Sequence, residues 1–247
     1  MNDPVLACIE VGGSGVQTVV FGVDGTAVFL DGPHQPPGAC VALAVPGLID
    51  GHRVASASNL GWIDVNPVAE LGLRGAAVVV CNDAEAAALG EAELRGLGPD
   101  TVLAFVGLGT GVGGAVVAGS EVLDENLFGH GGAFGDRLCR CGRTGCLETV
   151  AAGWALPDAL GDEQLRGVAA AVAVAVAAEP AADPAAVIVV GGGIVRRHPN
   201  LVAFVQDALP TRAVEASAAP PAAKSAAAWG LRRLSYGFDA VLEGGRS

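Results

Sequence analysis

Residues 128–148 read FGHGGAFGDRLCRCGRTGCLE and hold one histidine and three cysteines. His130, Cys139, Cys141 and Cys146 would supply the four soft ligands of a closed tetrahedral zinc site. The alternative is that these are ordinary buried cysteines. Half of the chain's six cysteines fall in this short stretch, beside one of its four histidines, which favours the zinc site. The segment has little apolar material, so a bound metal would supply folding energy that it lacks.

Length and composition suit one large domain or two small lobes. The chain has 247 residues, of which 51% are apolar and only 4% are aromatic, and its formal net charge is −12. This charge argues against nucleic acid as a partner, because binding phosphate backbones requires a basic face. The charge does not argue against binding of small anionic ligands, since backbone amides and helix ends can hold them.

The N-terminal sequence MNDPVLACIEVGG has neither the basic region nor the long apolar run of a signal peptide. The longest uncharged apolar run, residues 168–178, is too short to span a bilayer. We therefore expect a cytoplasmic protein without membrane contact. Reducing conditions there favour metal-bound thiolates over disulfides.

Apolar strand patterns alternate with glycine turns and helix-forming segments along the chain. A short strand and a loop are predicted after Gly51, and a helix is predicted from near Thr149. Two units of strand, glycine turn and strand, at residues 5–23 and 101–117, are each followed by alternating strands and helices. The repeat predicts a duplicated α/β unit with a cleft between two lobes.

Three glycine turns lie at predicted strand ends, at residues 12–15, 107–114 and 191–193. Each one alone is typical of a tight hairpin. Two such hairpins can hold a polyphosphate through backbone amides, which fits an acidic chain. The third could let an adenine or a ribose lie against bare backbone.

Asp83 stands where a predicted strand at residues 76–81 gives way to the helix-forming sequence AEAAALGEAEL. One interpretation is a plain helix N-cap, a role that Asp and Asn often fill. The other is a catalytic carboxylate at the end of a strand.

The order of these motifs resembles the ROK family of sugar kinases and sugar-responsive repressors. The resemblance runs from about Ile9 to Trp229 and rests on GGSG, VPG, NLGW, NDAEAAALGE, GLGTGVGG, GH, CRCGRTGCLE and VVGGGI. It implies an α/β, two-lobed actin-like (ribonuclease H-like) ATPase fold with a duplicated mixed-sheet unit. Residues 1–102 with about 223–247 would form a smaller N-terminal lobe, and residues 103–222 a larger C-terminal lobe.

The resemblance also implies a function: transfer of a phosphoryl group from ATP, with Mg²⁺, to a hydroxyl of a sugar or polyol. Asp83 would be the general base, and a homodimer or homotetramer is expected. Zinc with four side-chain ligands has no open position, so it would fix the loop rather than act on substrate. The residues implied for the sugar are Asn59, Asn82, Asp83, His130 and Glu148. Those implied for the nucleotide are Glu10, Gly12, Gly13, Ser14, Gly109, Thr110, Gly111, Gly113, Gly191, Gly192 and Gly193.

The chain departs from the family pattern at several positions. Glu10 and Ser14 stand where the family has Asp and Thr, and Leu127 stands where the family has a sugar-binding Glu. Glu85, at a position that is commonly Asn, could replace that carboxylate. Residues 31–39 replace a long helical excursion.

Because of these departures, two alternatives to an ordinary hexose kinase remain open. One is a catalytically silent ROK-like protein that binds a ligand or regulates a partner. The other is a kinase for a deoxysugar, an aminosugar or a cyclitol. No basic helix-turn-helix precedes Val5, which argues against direct DNA binding.

Overall fold

The structure is a computed structural model that describes residues 4–75, 77–123, 128–132, 134–179 and 183–244. At residues 4, 5 and 236–244 it describes the backbone alone. Leu127, the position where the family has a sugar-binding Glu, lies outside the described residues, as does Ala76, the first residue of a predicted strand.

The strands and helices follow the order of an α/β protein. The strands are β1 (Pro4–Gly12), β2 (Gly15–Gly22), β3 (Ala27–Asp31), β4 (Cys40–Val45), β5 (Leu48–Asp50), β6 (Arg53–Ala57), β7 (Trp62–Val65), β8 (Val79–Asn82), β9 (Val102–Leu108), β10 (Val112–Ala118), β11 (Glu121–Val122), β12 (Val187–Gly191) and β13 (Val214–Ala216). The helices are α1 (Pro67–Glu70), α2 (Asp83–Arg95), α3 (Glu148–Ala151), α4 (Asp162–Ala178), α5 (Gly193–Arg197), α6 (Asn200–Ala208) and α7 (Ala227–Gly244), with a 3₁₀ turn at Phe128–His130.

The chain forms two compact units. The first combines Met1–Leu94 with Ala219–Ser247, and the second is the continuous stretch Arg95–Ala218. Each unit has its own sheet and its own apolar core.

The first unit is built on a five-stranded sheet in the order β3-β2-β1-β4-β8. β1 pairs with β2 in antiparallel fashion, whereas β1, β4 and β8 run parallel to one another. The middle of the sheet is apolar throughout, because central strands such as β4 are covered on both faces. The carboxyl ends of the three parallel strands meet at one edge, where Glu10 and Asn82 lie.

Helices α2 and α7 of this unit cross at two glycines. A Cβ atom at Gly90 would lie 1.9 Å from the carbonyl oxygen of Ala226, and one at Gly230 would lie 1.9 Å from that of Ala86. The two backbones therefore pack directly on each other. This crossing fastens the last helix of the chain to the N-terminal half of the unit.

The second unit repeats the arrangement with the order β11-β10-β9-β12-β13. β9 pairs with β10 in antiparallel fashion and with β12 in parallel, and β12 pairs in parallel with β13. Helix α4 packs an apolar face into the core through Leu165, Val168, Val172 and Val176, whose spacing is that of a helix. The two sheets share one strand order and one pattern of pairing, which confirms the predicted duplicated mixed-sheet unit.

Several local features differ from the sequence predictions. β5, β6 and β7 form a small antiparallel sheet, where the sequence predicted one strand and a loop. The helix predicted near Thr149 is only the four-residue α3, and α5 directly after Gly192 was not predicted. In the described part of the chain, no helix has both the length and the apolar character needed to cross a membrane.

Candidate active site and metal centre

The carboxyl edge of the first sheet gathers three carboxylates. Glu10 lies near the end of β1, and Asp83 and Glu85 lie in the first turn of α2, directly after β8. Glu10 pairs in register with Ala44 of β4, which in turn pairs with Cys81 of β8, so the end of β1 and the end of β8 are level. The sequence prediction named all three carboxylates as site residues, and the first sheet places them at one edge.

Asn82, and not Asp83, caps helix α2. Its Oδ1 accepts hydrogen bonds from the backbone N–H groups of Ala84 and Glu85 at 2.8 and 3.3 Å. Its Nδ2 donates to the carbonyl oxygen of Gly47 at 2.9 Å, which joins the helix start to the end of β4. These bonds fill the capping role that a side chain has at a helix start. Asp83 is therefore the first residue inside the helix.

The environment of Asp83 raises its pKa from the ordinary value of 3.8 to about 7. Burial is the largest cause, and the negative charges of Glu10 and Glu85 add to it. The Ala84 N–H donates to Oδ1 at 3.0 Å, which orients the carboxylate and opposes part of the rise. Burial is also the largest cause that raises the pKa of the Cys81 thiol, and the charges of Glu85 and Asp83 add to it. A carboxyl group with a pKa near neutrality can exchange a proton at physiological pH.

Asn59 lies in the turn between β6 and β7. Its side-chain oxygen is buried and has no hydrogen-bond partner among the described residues. A buried carbonyl oxygen without a donor is unfavourable. A ligand hydroxyl would satisfy it, so this position suits the predicted sugar contact.

The first glycine turn joins β1 to β2. Gly12 pairs with Gly15, and Gly13 and Ser14 form the tip. Gly15 has a φ of 128°, which glycine adopts readily and other residues do not. The side chain of Lys224 reaches this turn, where its Nζ donates to the carbonyl oxygen of Gly15. The sequence prediction missed Lys224, because no local pattern connects it with a turn some two hundred residues earlier.

The second glycine turn, Gly109 to Gly111, joins β9 to β10 and is closed by the Gly109 N–H donating to the Gly111 carbonyl oxygen at 3.0 Å. Gly113 lies beyond the turn, within β10 and opposite Gly107. The Gly153 N–H donates to the Gly109 carbonyl oxygen at 2.8 Å, so the chain after α3 packs on this turn. Gly153 was not among the predicted site residues.

The third glycine segment links β12 to α5. Gly191 ends the strand, Gly192 has a φ of 94°, and Gly193 begins the helix. A Cβ atom at Gly192 would lie 2.4 Å from the carbonyl oxygen of Leu108. The third segment therefore lies against the end of β9, next to the second turn.

The predicted metal ligands converge in the second unit. One ligand atom from each of His130, Cys139, Cys141 and Cys146 lies within 4.8 Å of all the others. The Cys139 sulfur is 3.7 Å from His130 Nδ1, and the Cys141 and Cys146 sulfurs are 3.7 Å apart. No disulfide forms among the six cysteines.

The two 3.7 Å separations match those expected around a tetrahedral zinc ion. Zn–S bonds of about 2.3 Å and Zn–N bonds of about 2.0 Å at a tetrahedral angle place the ligand atoms about 3.5–3.8 Å apart. The loop is held in this shape by its backbone: the Cys139 N–H donates to Arg143 O at 2.7 Å, and the Gly142 N–H donates to Cys139 O at 3.0 Å. Gly142 has a φ of 86°, which closes the turn between the cysteines.

Glu148 lies directly after the cysteine loop and is only 2% exposed. Its Oε1 accepts from the backbone N–H of Val112, the first residue of β10, at 2.9 Å. Its Oε2 accepts from the indole N–H of Trp154 at 3.2 Å and lies 3.8 Å from the Cys139 sulfur. The carboxylate therefore links the cysteine loop to the second glycine turn. Val112 and Trp154 were not predicted.

The sequence model of the ROK family matches residues 17–182. An N-acetylmannosamine kinase from Escherichia fergusonii is 33% identical over an alignment of 177 residues that covers 59% of this chain and 60% of that protein. A protein assigned as a xylose repressor in Caldicellulosiruptor is 36% identical over 125 residues, 47% of this chain and 31% of that protein. The matched stretches thus span less than two thirds of these relatives.

Solved structures resemble the chain over nearly its whole length. A glucokinase of the ROK family from Streptomyces griseus, solved with glucose and AMPPNP, has a TM-score of 0.74 at 20% identity and covers 94% of this chain and 99% of that one. The ROK hexokinase from Thermus thermophilus has a TM-score of 0.66 at 22% identity, over 91% and 97% of the two chains. The likeness shows the fold, and it confirms the predicted actin-like ATPase fold.

Proposed function

Because the chain belongs to the ROK family, we propose that it is an ATP-dependent kinase that phosphorylates a hydroxyl of a sugar or sugar-like polyol. The observation that carries this proposal is Asp83, a carboxylate at the carboxyl ends of the parallel strands β1, β4 and β8, with its pKa raised to about 7. Since Asn82 performs the capping, Asp83 is not needed as the helix cap.

Asp83 would act as the general base. The substrate hydroxyl transfers its proton to the Asp83 carboxylate as the hydroxyl oxygen attacks the γ-phosphorus of ATP, and ADP leaves. A base with a pKa near neutrality is ionised in a sufficient fraction of molecules and still holds the proton well. The Ala84 N–H on Oδ1 keeps the carboxylate oriented toward one side.

Asn59 and Asn82 support a polyol substrate. The buried, unpartnered Oδ1 of Asn59 would accept from one sugar hydroxyl. Asn82 is tied to Gly47 and to the start of α2, so it would present a fixed edge to the ligand. Glu85, His130 and Glu148 stay predicted sugar contacts.

The two glycine turns would hold the phosphates through backbone N–H groups. Glu10, the carboxylate at the first turn, would suit the Mg²⁺ of Mg-ATP, which would offset part of the phosphate charge. The glycine segment at Gly191 to Gly193 would face the adenosine.

Zinc would be held by His130, Cys139, Cys141 and Cys146, whose ligand atoms lie within 4.8 Å of one another. It would be structural, because four side chains leave no position for substrate. Through Glu148, whose carboxylate bonds to Val112 and lies near Cys139, a fixed loop would also fix the start of β10.

Purified protein with Mg-ATP should release ADP in the presence of at least one member of a panel of hexoses, aminosugars, deoxysugars and cyclitols. N-Acetylmannosamine belongs in the panel because a matched relative is a kinase of that sugar. Asp83→Asn should lower kcat by about 10²–10⁴-fold, while Asp100→Asn, at an exposed position outside the site, should keep it. Absence of turnover across the panel, together with absence of ATP binding in calorimetry, would overturn the proposal.

A second candidate is a ligand-binding protein without catalysis. It is favoured by the match to an assigned repressor and by the buried Glu148, whose two carboxylate oxygens are both hydrogen-bonded inside the second unit. The same panel separates the two: sugar binding without ADP release, unaltered by Asp83→Asn, would support this candidate.

A further inference from the structure

We propose that Lys224 is the cation that binds the nucleotide phosphates at the first glycine turn. The inference rests on the proposed function, because it assumes that this turn receives ATP. It adds a positively charged residue to a site that the sequence motifs describe only through backbone amides and carboxylates.

The geometry places the ammonium group on the turn itself. Lys224 Nζ donates to the carbonyl oxygen of Gly15. It also lies 3.7 Å from the point where a Cβ atom of Gly12 would be, and 4.0 Å from the same point at Gly15. A phosphate that rests on the bare backbone of Gly12 would therefore contact this ammonium. Because an ammonium carries three N–H groups, it can donate to a carbonyl oxygen and to phosphate oxygens together.

The side chain of Gln17, in β2, holds the backbone around Lys224 through hydrogen bonds. The Lys224 N–H donates to Gln17 Oε1 at 2.7 Å, and Gln17 Nε2 donates to the carbonyl oxygen of Ala222 at 2.9 Å. Gln17 is only 9% exposed and lies two residues after Gly15. The buried Gln17 amide thus holds both Ala222 and Lys224, which lies two residues later, and this preorganises the Lys224 side chain toward the turn.

The composition singles out the same residue. Lys224 is the one lysine of the chain, among 14 Lys and Arg residues and a formal net charge of −12. Arginine presents a broad planar fork, whereas lysine is a compact point charge that fits beside a phosphate cradled by a glycine turn. Glu10 and Asp83 lie at the carboxyl edge of the same sheet. A nucleoside triphosphate that binds near these carboxylates would need a nearby cation to offset the repulsion between its phosphates and the carboxylates.

Because Lys224 is the single lysine of the sequence, a reaction specific for amines modifies no other side chain, and its rate reports the accessibility of Lys224. Reductive methylation with formaldehyde and dimethylamine–borane modifies this side chain, and mass spectrometry of the peptide that contains Lys224 gives its rate. We expect saturating Mg-ATP or inorganic tripolyphosphate to slow this methylation by about 10-fold or more, and adenosine to leave the rate unchanged, because only the phosphates contact the ammonium.

Substitution supplies the second measurement. Lys224→Met keeps most of the apolar stem and removes the charge, so the Kd for Mg-ATP should rise by about 10–150-fold, the range of a lost charge-assisted hydrogen bond. The Kd for adenosine should change less than about 2-fold. Lys224→Arg should restore part of the affinity, and Arg74→Met, which removes one positive charge at an exposed position, should leave it unchanged. Thermal unfolding identifies any variant that binds poorly because it is unfolded.

The outcomes separate this inference from the proposed function. If calorimetry shows that wild-type protein binds Mg-ATP but methylation of Lys224 is equally fast with and without it, the role of Lys224 is overturned while the kinase proposal stands. An equal loss of ATP and adenosine affinity in Lys224→Met would also overturn it, because that pattern indicates a structural role. If the wild-type protein binds no nucleotide at all, the proposed function itself fails.

Discussion

At the scale of single residues, the neighbouring side chains of Asn82 and Asp83 have different roles at the edge of the first sheet. Asn82 and Asp83 are both good helix caps by residue type, and the sequence alone leaves the choice open. The structure gives the cap to Asn82 and leaves Asp83 with a pKa of about 7, raised chiefly by burial.

The raised pKa predicts a pH dependence of activity. Asp83 must be ionised to accept the proton, so kcat/KM for the sugar should rise with pH and level off above a midpoint near 7. Glu10→Gln removes one of the negative charges that raise this pKa, so the midpoint should move to lower pH. Steady-state kinetics between about pH 5.5 and 8.5 measure both effects. A profile that is flat over this range would contradict the assignment of Asp83 as base.

The same pKa also predicts a stability effect. The folded Asp83 holds its proton up to a pKa of about 7, whereas an ordinary Asp loses it near 3.8, so between these values the folded state binds more protons than the unfolded one. The contribution of Asp83 to the free energy of unfolding therefore falls as the pH rises from 3.8 to about 7. Asp83→Asn removes the ionisable group, so it should be more stable than wild type at about pH 8 and gain less at about pH 5. Denaturant unfolding at the two pH values tests this, and a variant less stable at the higher pH would contradict it.

Other residue-level features had no signal in the sequence. Lys224 contacts a turn near the N-terminus, and Glu148 bonds to the backbone of Val112 in a different strand. Contacts of this kind depend on how distant segments pack. The four metal ligands, in contrast, lie close together in sequence, so spacing alone indicated them.

At the scale of elements, the cysteine loop has little apolar material of its own, so the proposed zinc would supply folding energy to it. Purified protein should contain close to one zinc ion per chain by elemental analysis, and chelation should lower Tm by at least about 5 °C. Cys141→Ser should lose the metal and the same stability, because it removes one ligand. Cys40→Ser is the matched control, since Cys40 is exposed and outside the cluster. A stable, metal-free preparation would contradict the zinc assignment.

The crossing of α2 and α7 leaves no room for a side chain. Gly90→Ala should therefore destabilise the protein by at least about 1–3 kcal/mol, because its Cβ would meet the Ala226 carbonyl oxygen 1.9 Å away. Gly167→Ala is the control: Gly167 lies in α4 with nothing within 4 Å of an added Cβ, so the change should stabilise by about 0.5–1 kcal/mol. Equal effects of the two substitutions in denaturant unfolding would show that the crossing is looser than described.

Most strands could be predicted because they are continuous apolar runs bounded by glycines. β1, β4 and β9 lie at the centres of their sheets, so burial on both faces leaves a clear apolar signal. The small sheet of β5 to β7 was missed because its strands are short and partly exposed, with Ile63 80% exposed. Helix α5 has only five residues and begins at a glycine, which the sequence pattern does not mark as a helix start.

At the scale of the whole molecule, the duplication was visible as two units of strand, glycine turn and strand. Strand order was not, because the parallel pairing of β1 with β4 and of β9 with β12 joins strands that are not consecutive. The family resemblance implied the fold class and not the strand order, and the likeness to solved structures supports that fold class.

The second unit should fold without the first. Residues 95–218 contain a complete five-stranded sheet, an apolar core and the cysteine loop. Arg95, the first residue of the unit, contacts residues near its other end: its side chain donates to the Glu215 carboxylate at 3.1 Å and to the Ala216 carbonyl oxygen at 2.6 Å. Expressed alone with zinc, this fragment should unfold cooperatively in denaturant.

Residues 1–94 should not fold alone, because they lack α7. Helix α7 covers Gly90, and its Arg232 and Arg233 bind the Glu93 carboxylate at 3.4 and 3.3 Å. Addition of a separate fragment with residues 219–247 should restore structure, measured by circular dichroism. Cooperative unfolding of residues 1–94 without it would contradict this prediction.

The discontinuity of the first unit also sets the order of events on the ribosome. Leu94 leaves the ribosome before the whole second unit is made, and α7 is made last. At about 5–20 residues per second, synthesis of the roughly 120 residues in between takes roughly 6–25 s. During that interval the segments of β1 to β8 and α2 are present without α7, so the first unit cannot complete its fold and the part of α2 that packs on α7 has no partner. The nascent chain is therefore most exposed to chaperones and to aggregation through its N-terminal half, although that half is synthesised first.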